Sequence, residues 1–193
     1  MGLVLITGPT IEPVSLAEAK LHLRVDVSDD DALIDGLIVA AREKAENILR
    51  RALITQTWDL HQDGFPSGNE LKLPFPPLQD ITTIKYTDKD GNESTFDEAN
   101  YIVDTASEPG RVFLDYGKSW PSVTLQPADG VVTTFVCGYG DAATDVPQVI
   151  KQAMLLTIGE WYENRENAIS ARLAEIPSAA KNLLQPIRVF GWS

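Results

Sequence analysis

The sequence predicts an α+β fold: a core of long antiparallel α-helices with a β-rich insertion, a small sandwich or open barrel, between them. Three observations predict it. Residues 28–52 and 146–166 carry apolar side chains at helical spacing, and between them, over 56–140, the pattern switches to an alternating, β-rich one punctuated by turn residues. The expected division is therefore 1–55 (an N-terminal arm and the first part of the helical core), 56–140 (the β-rich insertion) and 141–193 (the second part of the core and a C-terminal tail).

The elements follow in chain order. Residues 1–14 hold Pro9 and Pro13, which predicts an extended arm rather than a regular element. Its apolar Leu3, Val4, Leu5 and Ile6 are candidates to lie on a neighbouring molecule. Ser15-Leu16-Ala17-Glu18 is a capping box, so a short helix begins at Leu16 and runs to Leu23, with Leu16, Ala17, Ala19 and Leu23 inward. His22, with no acidic or second histidine near it in sequence, reads as a surface or half-buried structural residue. Ser28 is then the expected N-cap of the long helix, with Asp29, Asp30 and Asp31 facing the positive end of its dipole. Leu33, Ile34, Leu37, Ile38, Ala41, Ala45, Ile48, Leu49 and Ala52 form its apolar stripe, and Arg42, Glu43, Glu46 and Arg50 take the opposite face. Gly36 is its one weak point, at about 1 kcal/mol against alanine.

From Thr55 onward short strands are expected at 57–62, 70–73, 81–88, 94–96, 101–103, 111–114 and 131–138. Asp90-Gly91 is a hairpin turn. Its surroundings, Asp88 to Glu93, resemble a calcium loop only superficially, because glycine and glutamate are not at the required offsets. Gly138-Tyr139-Gly140 is too short for a phosphate loop and marks the return to helical sequence. Asp145-Val146-Pro147 then predicts an Asp-capped helix with proline in its first turn. This helix is apolar over more than half its circumference (Val149, Ile150, Ala153, Met154, Leu155, Leu156, Ile158, Trp161, Tyr162), so it is expected to be central, with Lys151, Gln152 and Thr157 as a narrow polar strip. One or two further turns follow at 178–184, ended by Pro186.

Composition narrows the function. The net charge of −12 argues against a surface that grips nucleic acid, since phosphate binding draws on clustered Lys and Arg. No run of 18 apolar residues predicts a membrane partner, and the start of the chain lacks the basic region of a signal peptide. One cysteine, Cys137, excludes an internal disulfide and reads as a small buried hydrophobe. Paired carboxylates, a nucleophile elbow and an HExxH pattern are all missing, so no catalytic residue, cofactor or metal ligand is assigned. The C-terminus, with Ile187, Val189, Phe190 and Trp192, either folds back on the core or docks on another protein through aromatic anchors.

Taken together, several stretches resemble the tailed-phage head–tail connector family, including its gene transfer agent members. They are Glu12 to Lys20, His22 to Asp26, Asp30 to Ile34, Ala45-Glu46 through Trp58, Val146-Pro147 with Ile150, Ala153 and Leu156, Trp161 to Glu166, and Leu183 to Val189. The family often has tyrosine where this chain has Ile187, and over 60–140 only the β-rich character agrees. The resemblance implies a non-enzymatic virion structural protein: an adaptor ring, commonly of twelve copies, beneath the portal protein. It joins the DNA-filled head to stopper or tail-completion proteins and lets DNA pass through its bore without specific binding. It further implies synthesis in the bacterial cytoplasm, a monomer before assembly, and a place at the head–tail joint of a virion or virus-like particle. By the same analogy Leu183, Leu184, Pro186, Ile187, Arg188, Val189, Phe190 and Trp192 are the expected portal-docking residues. The alternatives are another tail or neck structural protein, or a small-ligand-binding domain or enzyme with a pocket in the β-rich part.

Overall fold

A computed structural model describes residues 1–164 and 176–189 of the 193. The chain divides into two compact units. One contains Met1–Pro9 and Thr55–Gly138; the other contains Thr10–Ile54 and the described residues from Tyr139 on.

The first unit holds eight strands: β1 (Gly2–Thr7), β2 (Gln56–Gln62), β3 (Glu70–Lys72), β4 (Leu78–Thr87), β5 (Glu93–Thr95), β6 (Tyr101–Asp104), β7 (Arg111–Leu114) and β8 (Val131–Cys137). They form a five-stranded sheet of order β1-β2-β8-β4-β5 and a three-stranded sheet of order β3-β7-β6, antiparallel throughout. Period-two alternation sets one face: along β8, Val131, Thr133, Phe135 and Cys137 are buried while the residues between them are half-buried. Opposite them stand Leu60 on β2 and Ile81 and Ile84 on β4, all buried. β4 carries two bulges, between Leu78 and Asp80 and between Ile81 and Thr83, which let a ten-residue strand keep its apolar residues on this face. At Gly110, in the turn before β7, an added Cβ would lie 2.3 Å from Leu78 Cβ, so only glycine lets the turn sit against β4. Phe65, Tyr86, Phe96, Tyr101 and Trp120 make a chain of ring contacts with centroids 5.1 to 6.1 Å apart.

The second unit holds α1 (Leu16–Leu23), α2 (Asp31–Leu49), α3 (Gln148–Glu163) and α4 (Ser178–Leu184), followed by a 3-10 turn at Gln185–Ile187. Its core joins Val14, Ala19, Ile34, Ile38, Ala41, Ala45, Leu49 and Leu53 to Val146, Ile150, Ala153, Met154, Ile158, Trp161, Ala180 and Leu184. Each of the larger aliphatic side chains contributes about 1.5–3 kcal/mol by leaving water.

The expected fold class needs correction. The chain is not built on a core of long helices. The described residues give four short helices, of 8, 19, 16 and 7 residues, and two antiparallel sheets, so the protein is a β-rich mixed α/β molecule. The physical reasons are local. Arg24 and Arg50 adopt left-handed backbone (φ 58° and 57°) and end α1 and α2. Ser28 does not cap α2: its carbonyl closes a turn on the Asp31 amide, and Asp30 takes the cap position. Asp145 does not cap α3 either. Its carboxylate accepts from the Ala142 N–H, next to Gly140, where a Cβ would lie 2.2 Å from Asp145 Oδ2, and Pro147 occupies the cap. Finally, residues 2–7 are not a loose arm but strand β1, laddered to β2.

Candidate interaction surfaces

The candidate residues fall into two groups on different units. At the N-terminus, Leu3, Val4, Leu5 and Ile6 lie in β1, an edge of the five-stranded sheet. Leu3 is half-buried, while Val4, Leu5 and Ile6 are exposed at 47, 46 and 53 %. This strand carries no charge and no proline, the devices that usually protect an edge.

At the C-terminus, Leu184 and Val189 are buried, Leu183, Ile187 and Arg188 half-buried, and Pro186 exposed. Phe190 and Trp192 lie outside the described residues. The segment is tied to the end of α2. Because Arg50 ends that helix, the last carbonyls have no intrahelical partner. The Leu49 carbonyl accepts from the Val189 N–H (3.0 Å), and Arg51, 7 % exposed, donates from Nε to the Ile187 carbonyl (2.8 Å).

Charged side chains hold the remaining segments of this unit. Arg42 is buried. Its Nε meets Glu12 at 2.9 Å and its Nη1 meets Glu46 at 2.8 Å; the other Glu46 oxygen accepts from the Leu53 N–H. One guanidinium thereby joins the segment before α1, the α2 helix and the chain after it. Burial raises the Glu12 carboxyl above its ordinary value, against the pull of Arg42. At Arg42 burial is outweighed by its two carboxylates, Glu46 and Glu12, which raise it. Lys151, also buried, reaches Glu18 at 3.0 Å, tying α3 to α1. Glu18 is held down to about 2, first by the Ser15 N–H of the capping box and then by Lys151. Lys20 pairs with Asp31, and the Tyr162 hydroxyl donates to Asp30.

In the β-rich unit the corresponding polar knot is more open. Arg111 on β7 bridges Asp104 (2.8 Å) and Glu70 (3.2 Å) on β6 and β3, its side chain one-third exposed. The hydrogen bonds from Ser107 and then Arg111 hold Asp104 down to about 2.

Three features escaped the sequence. Arg42 and Lys151 were expected on polar faces and are buried, and no sequence signal marks their partners 30 and 133 residues away. Arg51 gave no sign of reaching residue 187. On α1, Leu21 is 82 % exposed over a shallow depression lined by Leu16, Lys20, Arg24 and Val25, whereas Ala17, expected inward, is exposed. His22 is exposed and Cys137 fully buried. Among the described residues no group of His, Cys, Asp or Glu stands close enough to hold a metal ion, and no helix is long and apolar enough to cross a membrane.

Comparison with known proteins gives three findings. The family described as "Phage gp6-like head-tail connector protein" matches residues 13–105. No curated protein matches the chain. Among solved structures, the chain is similar to one in the structure described as "Virion of native gene transfer agent (GTA) particle". The TM-score is 0.82 at 22 % identity, covering 100 % of this chain and 98 % of that one. It is likewise similar to chains in "Neck of empty GTA particle computed with C6 symmetry" (TM-score 0.81) and "Neck of native GTA particle computed with C12 symmetry" (0.79), each at 22 % identity and the same coverage. At that identity the whole-chain likeness establishes a shared fold. Over residues 13–105, from Pro13 through α1, α2 and the strands to β6, the chain matches the head–tail connector family that its sequence resembles.

Proposed function

We propose that the protein is a structural part of a particle neck: a head–tail adaptor that forms a ring of twelve copies under a portal protein, joins the head to stopper or tail-completion proteins, and lets DNA pass. The observation that carries this reading is the connector-family match over 13–105. The fold it shares over its full length with chains in two gene transfer agent neck structures supports it. Its place is the head–tail joint of the particle, after synthesis in the bacterial cytoplasm as a monomer.

The C-terminal residues from Leu183 to Trp192 are the portal-docking element, and β1, with Leu3 to Ile6, is a second contact. The charge distribution fits DNA passage without retention. Residues 55–138 hold thirteen Asp and Glu against five Lys and Arg, a net −8 of the chain's −12. An acidic surface repels the phosphate backbone and lets it slide. The test is capture of the tagged protein from particle-producing cells, with mass spectrometry of its companions. Portal and tail-completion proteins are expected to dominate. Capture of the protein alone, from cells that do release particles, contradicts the reading.

A further inference from the structure

β1 has the composition of an inner strand and the position of an outer one. Leu3, Val4, Leu5 and Ile6 are apolar in succession, and such runs are typical of strands covered on both faces. Yet among the described residues β1 is laddered to β2 alone, and Val4, Leu5 and Ile6 are about half exposed. The register assigns the faces. Leu3 stands opposite Leu60 and Leu5 opposite Trp58, on the buried side of the sheet, while Val4 stands opposite Asp59 on the other side. Beside Leu5, the half-buried Trp58 packs on the half-buried Phe75 at 4.8 Å, so the apolar surface continues inward from the edge. The other outer strands differ: β5 carries Glu93, β3 carries Glu70 and Lys72, and β6 ends in Asp104. Charged residues are the usual guard of an open edge. β1 has none, and its one guard is a bulge at Ile6, where the register shifts between Leu5 and Thr7. The regular open edge therefore runs from Gly2 to Leu5, and alternate residues of such an edge turn their N–H and C=O outward.

Resting on the neck-adaptor reading above, we propose that this edge takes a strand from a different protein of the neck: an extended, uncharged segment about as long as β1, apolar on both faces. An extended backbone matches the spacing of the outward donors and acceptors, and side chains then give selectivity. The composition follows from the faces. A strand laid along β1 sets side chains beside Leu3 and Leu5 on one face and beside Val4 on the other. The lack of negative charge follows from the surroundings, since residues 55–138 carry net −8 and Asp59 stands opposite Val4; an acidic strand is repelled. A second copy of this chain fits the edge less well. Pairing β1 with another copy's β1 needs a two-fold axis between them, and a purely cyclic ring has none. Pairing β1 with the far edge of the next copy's sheet would run one sheet through the whole ring. Neighbouring strands turn by roughly 20–25°, so a five-stranded sheet would turn each copy by roughly 100–125°. A twelve-fold ring turns each copy by only about 30°.

The test uses the full chain, free and in particles. Three readouts are combined: hydrogen exchange of Gly2–Thr7, photo-cross-linking from p-azidophenylalanine at position 4, and incorporation of Val4→Lys and Val4→Thr into particles. The outward amides of β1 should exchange fast in the free chain and about tenfold or more slowly in the particle. Light should join position 4 to an uncharged, extended segment of another neck protein. Val4→Lys sets a charge on the open edge of an exposed strand. It should keep the parent's thermal midpoint and enter particles about tenfold less well. Val4→Thr, which keeps a strand-forming side chain and adds no charge, should enter nearly as the parent does. Amides that exchange equally fast in both states overturn the proposal. So does a cross-link to a second copy of this chain, to an acidic segment or to nothing, and so does normal incorporation of a folded Val4→Lys. Exchange and cross-linking need no lysine at position 4, so they decide the matter even where that variant fails to fold. A parent chain absent from particles overturns the adaptor reading itself, a result distinct from a chain that enters particles with β1 still open.

Discussion

The two units solve the same problem, holding irregular chain segments in place, by different means. In the β-rich unit the backbone does it. Every strand is laddered, the core is apolar or aromatic, and Gln56 and Thr133 are its only buried polar side chains among the described residues. Its carboxylates lie at the surface in excess, at net −8. The helical unit joins pieces that share no ladder: the segment around Glu12, α1, the stretch after Leu49, and residues 185–189. There the ties are buried cations, Arg42 to Glu12 and Glu46, Lys151 to Glu18, and Arg51 to the Ile187 carbonyl. The lesson is that a helix satisfies its own backbone and leaves nothing to fasten its neighbours, so long cationic side chains take over that task.

Breaking the buried ties should therefore cost more than breaking the exposed one. Arg42→Ala leaves two carboxylates facing a buried gap, and we expect a loss of about 3–5 kcal/mol in urea unfolding, the usual effect of removing one partner of a buried pair. In the β-rich unit the larger sensitivity lies in packing. Gly110→Ala puts a methyl group onto Leu78 and should cost about 1–3 kcal/mol, measured the same way. Arg111→Ala, by contrast, removes an open ion pair and should leave the thermal midpoint within the scatter of surface substitutions. Equal losses for Arg42→Ala and Arg111→Ala would erase the contrast between the units.

Acid sharpens the same comparison. Glu18 and Asp104 each fall to about 2 in the folded chain, from ordinary values of 4.5 and 3.8. A depressed carboxyl contributes stability that is complete above its unfolded value and lost as the pH falls through the folded one. Stability should thus decline from about pH 4.5 toward pH 2, with Glu18→Gln flattening the helical share and Asp104→Asn the β-rich share. Glu12, raised by burial, works in the opposite sense and blunts the helical loss. Unfolding followed separately by Trp161 and Trp58 fluorescence across this range distinguishes the two shares.

Sequence and structure agree best where the information is local. The alternation of 131–137 shows in the burial of β8, the Ser15–Glu18 capping box forms with both of its hydrogen bonds, and β7 occupies the expected 111–114. The balance between helix and sheet was less legible. The apolar stripe of 28–52 suggested a longer helix than α2, because nothing in the pattern shows that Arg50 turns left-handed or that Asp31 is the first helical residue. β1 was hidden because its partner lies more than 50 residues away and its own sequence does not alternate. The candidate docking residues were recognisable as apolar and terminal. That residues 187 and 189 are fastened to the end of α2 was not, since Arg51 and Leu49 meet them only once α2 and the end of the chain are brought together.

The adaptor reading is tested most directly by cryo-electron microscopy of the head–tail joint of particles carrying this protein. The account predicts density for twelve copies of the two-unit fold in a ring directly beneath the portal. A joint built without this fold, or a ring of it elsewhere in the particle, would contradict it.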